Sequence, residues 1–289
     1  MRGAYQRLML DGKKTIIIPN GITEIEAEKF IWDESISRVS LPASVTSIGR
    51  GAFQGCENLT EVDVAGDLVS IGEFAFLQCV NLQTIRLTDS LRSIGASAFL
   101  GCRSLKDIYL SPKLETIGSS AFAFCDSLVN DSGFLIINNC LQNYAGSAKS
   151  VTVPYGVEEI GESAFEGCVD VSEIVLPASV KKVKMCAFNY CKSLRSVIFP
   201  PVVSALCSQL FRECENLTEV FLPQCREPVG ELVFWDCPSL EKIHIPTGPF
   251  SVHNNRWLFK GCSKAVIYTP AGSEAEQYAI NRGFPFINE

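Results

Sequence analysis

Apolar positions along this chain follow two short rhythms that alternate. The first is Leu-x-x-Ile-x-Leu, seen in "NLTEVFLP" from Asn216 and "SLKDIYLS" from Ser104. Its last two apolar residues lie two apart, the period of a strand with one buried face. The second is Val-x-x-Ile-Gly-x-x-Ala-Phe-x-x-Cys, as in "IGRGAFQGC" from Ile48. Its spacing is helical, but the segment is too short for a standing helix, so it predicts a tight turn or a single helical or 3-10 turn. Prolines at Pro42, Pro177, Pro200, Pro223 and Pro246 end the strands, because proline donates no ladder hydrogen bond. Glycine follows the second Ile at Gly49, Gly72, Gly95, Gly118, Gly161 and Gly230, while Lys184 and Cys207 take that place in two copies. A positive φ is therefore not expected to be obligatory there.

The two rhythms make one unit of fixed length. The phenylalanines Phe30, Phe53, Phe76, Phe99 and Phe122 are each 23 residues apart, as are Phe165, Phe188, Phe211 and Phe234, and Phe259 follows after 25. A period of this size is that of a solenoid with one coil per repeat. A lone coil has too few apolar groups to offset the entropy of ordering its backbone, so each copy must supply a wall of its neighbour.

Two places break the period. The step from Phe122 to Phe165 is 43 residues, and the added material reads as a hairpin turning at Asn138-Asn139. After it, "VTVPYGVEEIGESAF" matches "IIIPNGITEIEAEKF" at an offset of 135, so two blocks of about five coils begin alike. The opening "YQRLMLDGKK" resembles only the second half of the hairpin, as a trimmed start or a simple cap would. At the other end Ser273 and Glu276 form a capping box, Gly283 is a C-terminal cap and Pro285 a stop. These predict a helix over Glu274–Arg282 and a closing strand over Phe284–Ile287. The expected organisation is one solenoid over 1–289. It comprises an N-terminal cap (1–15), a first block (16–130), the hairpin (131–150), a second block (151–262) and a C-terminal cap (263–289).

Composition narrows the class. Of 289 residues, 47% are hydrophobic and 20% charged, which is globular. The net charge of −7 is spread thinly and no basic run exists, so nucleic acid is not an expected partner. No apolar segment approaches the ~20 residues that span a bilayer, and the first fifteen residues lack the features of a signal peptide. The expectation is a cytoplasmic protein or a fragment of a cell-surface or secreted one. Nine of the thirteen cysteines (Cys56, Cys79, Cys102, Cys125, Cys168, Cys191, Cys214, Cys237 and Cys262) share one repeat position. Side chains stacked about 4.8 Å apart and pointing the same way do not reach disulfide geometry. They read as reduced thiols used as small buried apolar groups. Cys140, Cys186, Cys207 and Cys225 are scattered.

On these residues the chain resembles the BspA-like leucine-rich repeat family. The unit "LPASVTSIGRGAFQGCENLTEVD" is similar to that family's repeat, "GFLIINNCLQNYAGSAKSVTVP" to its hairpin and "AGSEAEQYAINRGFPF" to its C-terminal cap. The resemblance covers nearly the whole chain. It implies a strand-dominated α/β leucine-rich repeat solenoid of about ten coils, and a role of the kind found in bacterial surface proteins that adhere to host or matrix proteins.

Chemistry is sparse. There are two histidines, His244 and His253, and no C-x-x-C, H-E-x-x-H or phosphate-loop motif. No catalytic group, cofactor or metal is expected. His244 reads as an outward strand residue and His253 as a packing or capping residue near Trp257. The sequon-like Asn58, Asn130 and Asn216 are explained by the repeat and its turns. One column does stand out: the residue between the last Ile and Leu of each strand points away from the core. It reads Ser40, Asp63, Arg86, Tyr109, then Val175, Ile198, Phe221 and His244. Its neighbour two residues earlier stays polar, from Glu61 and Thr84 to Glu219 and Lys242. The apolar stretch is a candidate site for a protein or peptide ligand, at Tyr109, Val175, Ile198, Phe221 and His244. It is equally open that these residues only reflect strand propensity, that the hairpin covers them, or that they serve self-association within a scaffold.

Overall fold

The computed structural model describes residues 5–10, 13–248 and 257–289. His253 lies outside them. The chain divides into two compact units, residues 1–131 and 132–289, and each is built from strands stacked coil on coil.

In the first unit, two ladders run side by side along the stack. One joins Lys13–Ile17, Arg38–Leu41, Glu61–Val64, Thr84–Ile85 and Asp107–Ile108 in parallel, with Gln6–Leu10 added antiparallel at the start. The other joins Glu24–Ile25, Ser47–Ile48, Ser70–Ile71, Ser93–Ile94 and Thr116–Ile117. Each Ile of this second ladder faces the Ile one repeat away, as in Ile48↔Ile71 and Ile71↔Ile94. The 23-residue period is thus a hydrogen-bond register. Leu41, Val45, Ile48, Ala52, Phe53, Cys56, Leu59 and Val62 of one coil are all 0–1% exposed, so the sequence rhythm and the core coincide.

The Ala-Phe-x-x-Cys segment forms the third wall as a tight turn, and no helix is present there. Ala52, Gln54 and Cys56 donate within their own coil to the carbonyls of Gly49, Gly51 and Phe53. The alternate residues Gly51, Phe53 and Gly55 donate to Glu73, Ala75 and Leu77 of the next coil. Every N–H is satisfied by taking the two directions in turn, which demands a left-handed residue at every fourth position. Gly51 and Gly55 serve in this coil (φ 58° and 70°), but Phe74 and Gln78 (58° and 59°) and Ser97 (53°) do so in the next ones. Such residues are uphill by ~1–2 kcal/mol each outside glycine, and they persist because bonds on both sides fix them.

The glycine after the second Ile has another cause. Gly72 is not left-handed, yet a Cβ there would lie 2.7 Å from the Arg50 nitrogen, and at Gly118 only 2.2 Å from the Ala96 nitrogen. Close approach of the coil beneath, rather than φ, selects glycine.

Phe30, Phe53, Phe76, Phe99 and Phe122 form a column of stacked rings with centroids 5.2–5.4 Å apart. Tyr5 closes it edge-on at 5.3 Å from Phe30. Beside it runs the cysteine ladder, and all thirteen cysteines are free thiols. The ladder thiols do more than fill space. Cys56, Cys79, Cys102 and Cys125 donate to the carbonyls of Phe30, Phe53, Phe76 and Phe99, one coil back, at 3.0–3.2 Å. Burial pushes the Cys56 thiol up to about 12, so the group stays protonated and remains a donor.

The second unit opens on the expected hairpin. Phe134–Ile137 and Cys140–Tyr144 pair antiparallel around Asn138 and Asn139, both left-handed (φ 50° and 58°), as a two-residue type I′ turn requires. Cys140–Tyr144 then stacks in parallel on Glu159–Ile160, Lys182–Val183 and Ala205–Leu206. The outward-facing strands are Ser150–Thr152, Glu173–Val175 and Ser196–Ile198, followed by Glu219–Phe221, Lys242–His244, Val266–Thr269 and Phe286–Asn288. Phe165, Phe188, Phe211, Phe234 and Phe259 repeat the aromatic column, with Tyr144 as its first ring. Cys191, Cys214, Cys237 and Cys262 repeat the thiol ladder.

The C-terminal cap matches its signals. The helix runs Glu274–Arg282, Ser273 accepts from the Glu276 nitrogen, and Gly283 is left-handed at φ 70°. The Glu276 carboxylate accepts from Asn288 Nδ2 and the Gly272 nitrogen, and these bonds hold it below its usual range. The closing strand is Phe286–Asn288 rather than Phe284–Ile287. Phe284 instead turns inward to pack on Phe259 at 5.3 Å, and Pro285 has no N–H to give a ladder.

Two outcomes follow for stability and reactivity. Phe99→Ala, in mid-column, is expected to cost about 3–5 kcal/mol in denaturant unfolding, and Phe99→Leu, which leaves less of the space empty, distinctly less. At mildly alkaline pH a thiol reagent should reach only the half-buried Cys168, Cys186 and Cys207, and the ten buried cysteines only after unfolding. Fast native-state labelling of Cys79 or Cys102 would contradict the ladder.

Candidate functional site

Strand alternation leaves one residue per coil standing off the sheet, and register stacks these residues in line. In the second unit Thr152, Val175 and Ile198 are in register, as are Phe221, His244, Tyr268 and Ile287. Val175 is half-buried, while Ile198 is 49% and Phe221 58% exposed. The hairpin does not cover them: it belongs to the other ladder, with Cys140–Tyr144 paired to Glu159–Ile160.

The column is ordered at its aromatic end. Phe221 and His244 stack at 4.0 Å and 7°, and His244 and Tyr268 at 4.7 Å and 27°. In the ring plane His244 Nε2 lies 3.0 Å from Glu219 Oε1 and Nδ1 lies 3.3 Å from Glu289 Oε2. Lys242 Nζ is 3.8 Å from the same Glu219 oxygen. Both faces and both nitrogens of the imidazole are therefore engaged, which holds the ring in a fixed pose as the middle of a three-ring platform.

The column read from the sequence stops at His244. Tyr268 and Ile287 escape it because the spacing slips, to 24 residues from His244 and then 19. Thr152 stands one full period before Val175 and was findable by counting.

Tyr109 lies in the first unit. It is 51% exposed and donates its hydroxyl hydrogen to Asp89, a bond that raises its phenol above the usual value. The rest of that unit's column is polar. Asp63 is held by Arg38, which also reaches Glu61 at 3.5 Å, and Arg86 is exposed. The apolar face is a property of the second unit, made by Val175, Ile198, Phe221 and His244 with Tyr268 and Ile287. The sequon-like Asn58 and Asn216 are occupied by the fold, donating to the carbonyls of Glu34 and Lys192 one coil back. Among the described residues no helix is long and apolar enough to cross a membrane.

Comparison with known proteins places this architecture. A model of the BspA type leucine rich repeat region matches residues 13–131 and 135–266. A leucine rich cell surface protein from Faecalibacterium prausnitzii A2-165 is similar in structure, with a TM-score of 0.57, 21% identity, and coverage of 97% of this chain and 96% of that one. The pneumococcal vaccine antigen PcpA gives 0.61 at 19% identity, over 99% and 96%. A leucine-rich repeat protein from Eubacterium ventriosum ATCC 27560 gives 0.60 at 19%, over 86% and 82%. At these identities the likeness is one of fold. No curated protein is matched by the chain. Repeat, stacked coils and family match agree, and the chain belongs to the BspA type leucine-rich repeat family.

Proposed function

We propose that this chain is a non-enzymatic protein- or peptide-binding module, and that the outward strand face of its second unit is the surface it uses. The observation that carries this reading is the exposed row Ile198–Phe221 continuing into the His244–Tyr268 stack. Phe221 gains nothing in the core from its position, and the fold does not need a large ring there. A platform whose central ring is fixed by Glu219 and Glu289 loses little side-chain entropy on meeting a partner, and aromatic residues are enriched among those that dominate binding. The resemblance in fold to a leucine rich cell surface protein and to a pneumococcal antigen supports a cell-surface setting.

The test is capture of extracellular-matrix and host cell-surface proteins from an array by the immobilised chain. Phe221→Asp places a charge on the platform and should weaken capture by about tenfold or more, the loss of one ~1.4 kcal/mol contact. An exposed site tolerates such a change within about 0.5–1 kcal/mol of folding stability. Unchanged capture by a variant of native melting temperature would reject this face.

A further inference from the structure

Each sheet is open at both ends among the described residues, and two of these end strands are the first and the last strands of the chain. Gln6–Leu10 pairs with Lys13–Ile17 and ends a six-stranded sheet. Phe286–Asn288 pairs with Val266–Thr269 and ends a four-stranded sheet. A sheet edge offers a row of N–H and C=O groups to any strand that approaches, and folds usually shield it with proline, charge or a bulge. Here the first edge is five residues without proline, with Leu8 at 42% and Met9 at 63% exposure, and the second presents Ile287 at 47%. The bonding atoms of the second edge are set by alternation. The Glu289 nitrogen donates to Thr269 and the Pro285 carbonyl accepts from Ile267. The backbone groups of Phe286 and Asn288 therefore face away from the sheet.

The edges differ in charge. The strands Gln6–Leu10 and Lys13–Ile17 contain Arg7, Lys13 and Lys14 and no acidic residue, with Arg7 paired to Asp33 at 2.7 Å. Beside them runs a groove of about 400 Å³ lined by Arg7, Leu8, Met9, Lys14, Thr15, Ile16 and Ser35. The other edge carries Glu276, tied to Asn288 itself, and Glu289, the next residue along, which also reaches His244. The helix before it, Glu274–Arg282, contains two acidic residues and one basic one. Like edges repel and unlike edges attract, so pairing Phe286–Asn288 with its own copy is disfavoured and pairing it with the basic edge is favoured.

We propose that copies of this chain associate head to tail, the acidic edge strand Phe286–Asn288 of one copy pairing with the basic edge strand Gln6–Leu10 of another. The partner is a second copy of this chain, and the contact is heterologous, so it propagates into open chains or closes as a ring. It uses the backbone edge of Phe286–Asn288, whose Ile287 also ends the outward column. Its readout is assembly rather than capture of a foreign protein, so its failure is distinguishable from that of the proposed binding face.

The experiment is light scattering over a wide concentration range, with two variants whose fold is checked by circular dichroism. Asn288→Pro removes the outward donor of one edge and leaves the bonds to Val266–Thr269 in place. Met9→Glu with Lys14→Glu cancels the net positive charge of the other edge at exposed positions. Wild type should rise above monomer mass with concentration and fall back in high salt. Each variant alone should remain monomeric, and an equal mixture should reach twice the monomer mass and stop, because each brings one intact edge. Wild type monomeric throughout, assembly by either variant alone, or a mixture that stays monomeric would each overturn the proposal.

Discussion

Register between adjacent coils is the constraint from which the rest follows. A 23-residue coil encloses too few side chains to hold itself, so every wall is completed by the coil above or below. The outer and inner strand ladders repeat at that offset, and in the turn wall alternate N–H groups point within the coil and across to the next. Once the offset is fixed, identical residues must meet. Phenylalanine stacks on phenylalanine, isoleucine faces isoleucine, and glycine lies where the neighbouring backbone leaves no space for a Cβ.

The same constraint explains the cysteines. A residue that meets its own copy every coil must be small, tolerate burial and satisfy any polar atom it brings. The thiol fits beside the phenylalanine column and donates to a carbonyl one coil back. Serine would bring a more costly polar group into that interior, and alanine would leave space unfilled. A reducing setting is not needed to keep the ladder open, because stacked parallel side chains do not present the geometry of a disulfide.

Much of this was legible in the sequence because it is local or periodic. Strand alternation, the hairpin at Asn138-Asn139 and the helix Glu274–Arg282 each rest on residues within one element, and the structure shows all three. What escaped depends on neighbours in space. No local preference puts Phe74, Gln78 or Ser97 in the left-handed region; the coil-to-coil bonds do. The donor role of the thiols requires knowing which carbonyl lies one coil back. At the outward face, Ile198, Phe221 and His244 were readable as a column. The carboxylates that hold the imidazole lie 25 and 45 residues away, and Tyr268 joins only because the last coils abandon the 23-residue step. Irregular spacing near a cap hid the part of the platform that gives it order.

The central claim is that coils are interchangeable units coupled only through register. Thermal unfolding of two deletions in the first unit tests it most directly: residues 71–93, one full period, against residues 71–92, one residue short. The full-period deletion joins Ser70 to Ile94 as Ser70 joins Ile71 now. It should keep a single cooperative transition at a modestly lower temperature, and the shorter deletion should lose that transition or lower it far more. Equal behaviour of the two would contradict the account.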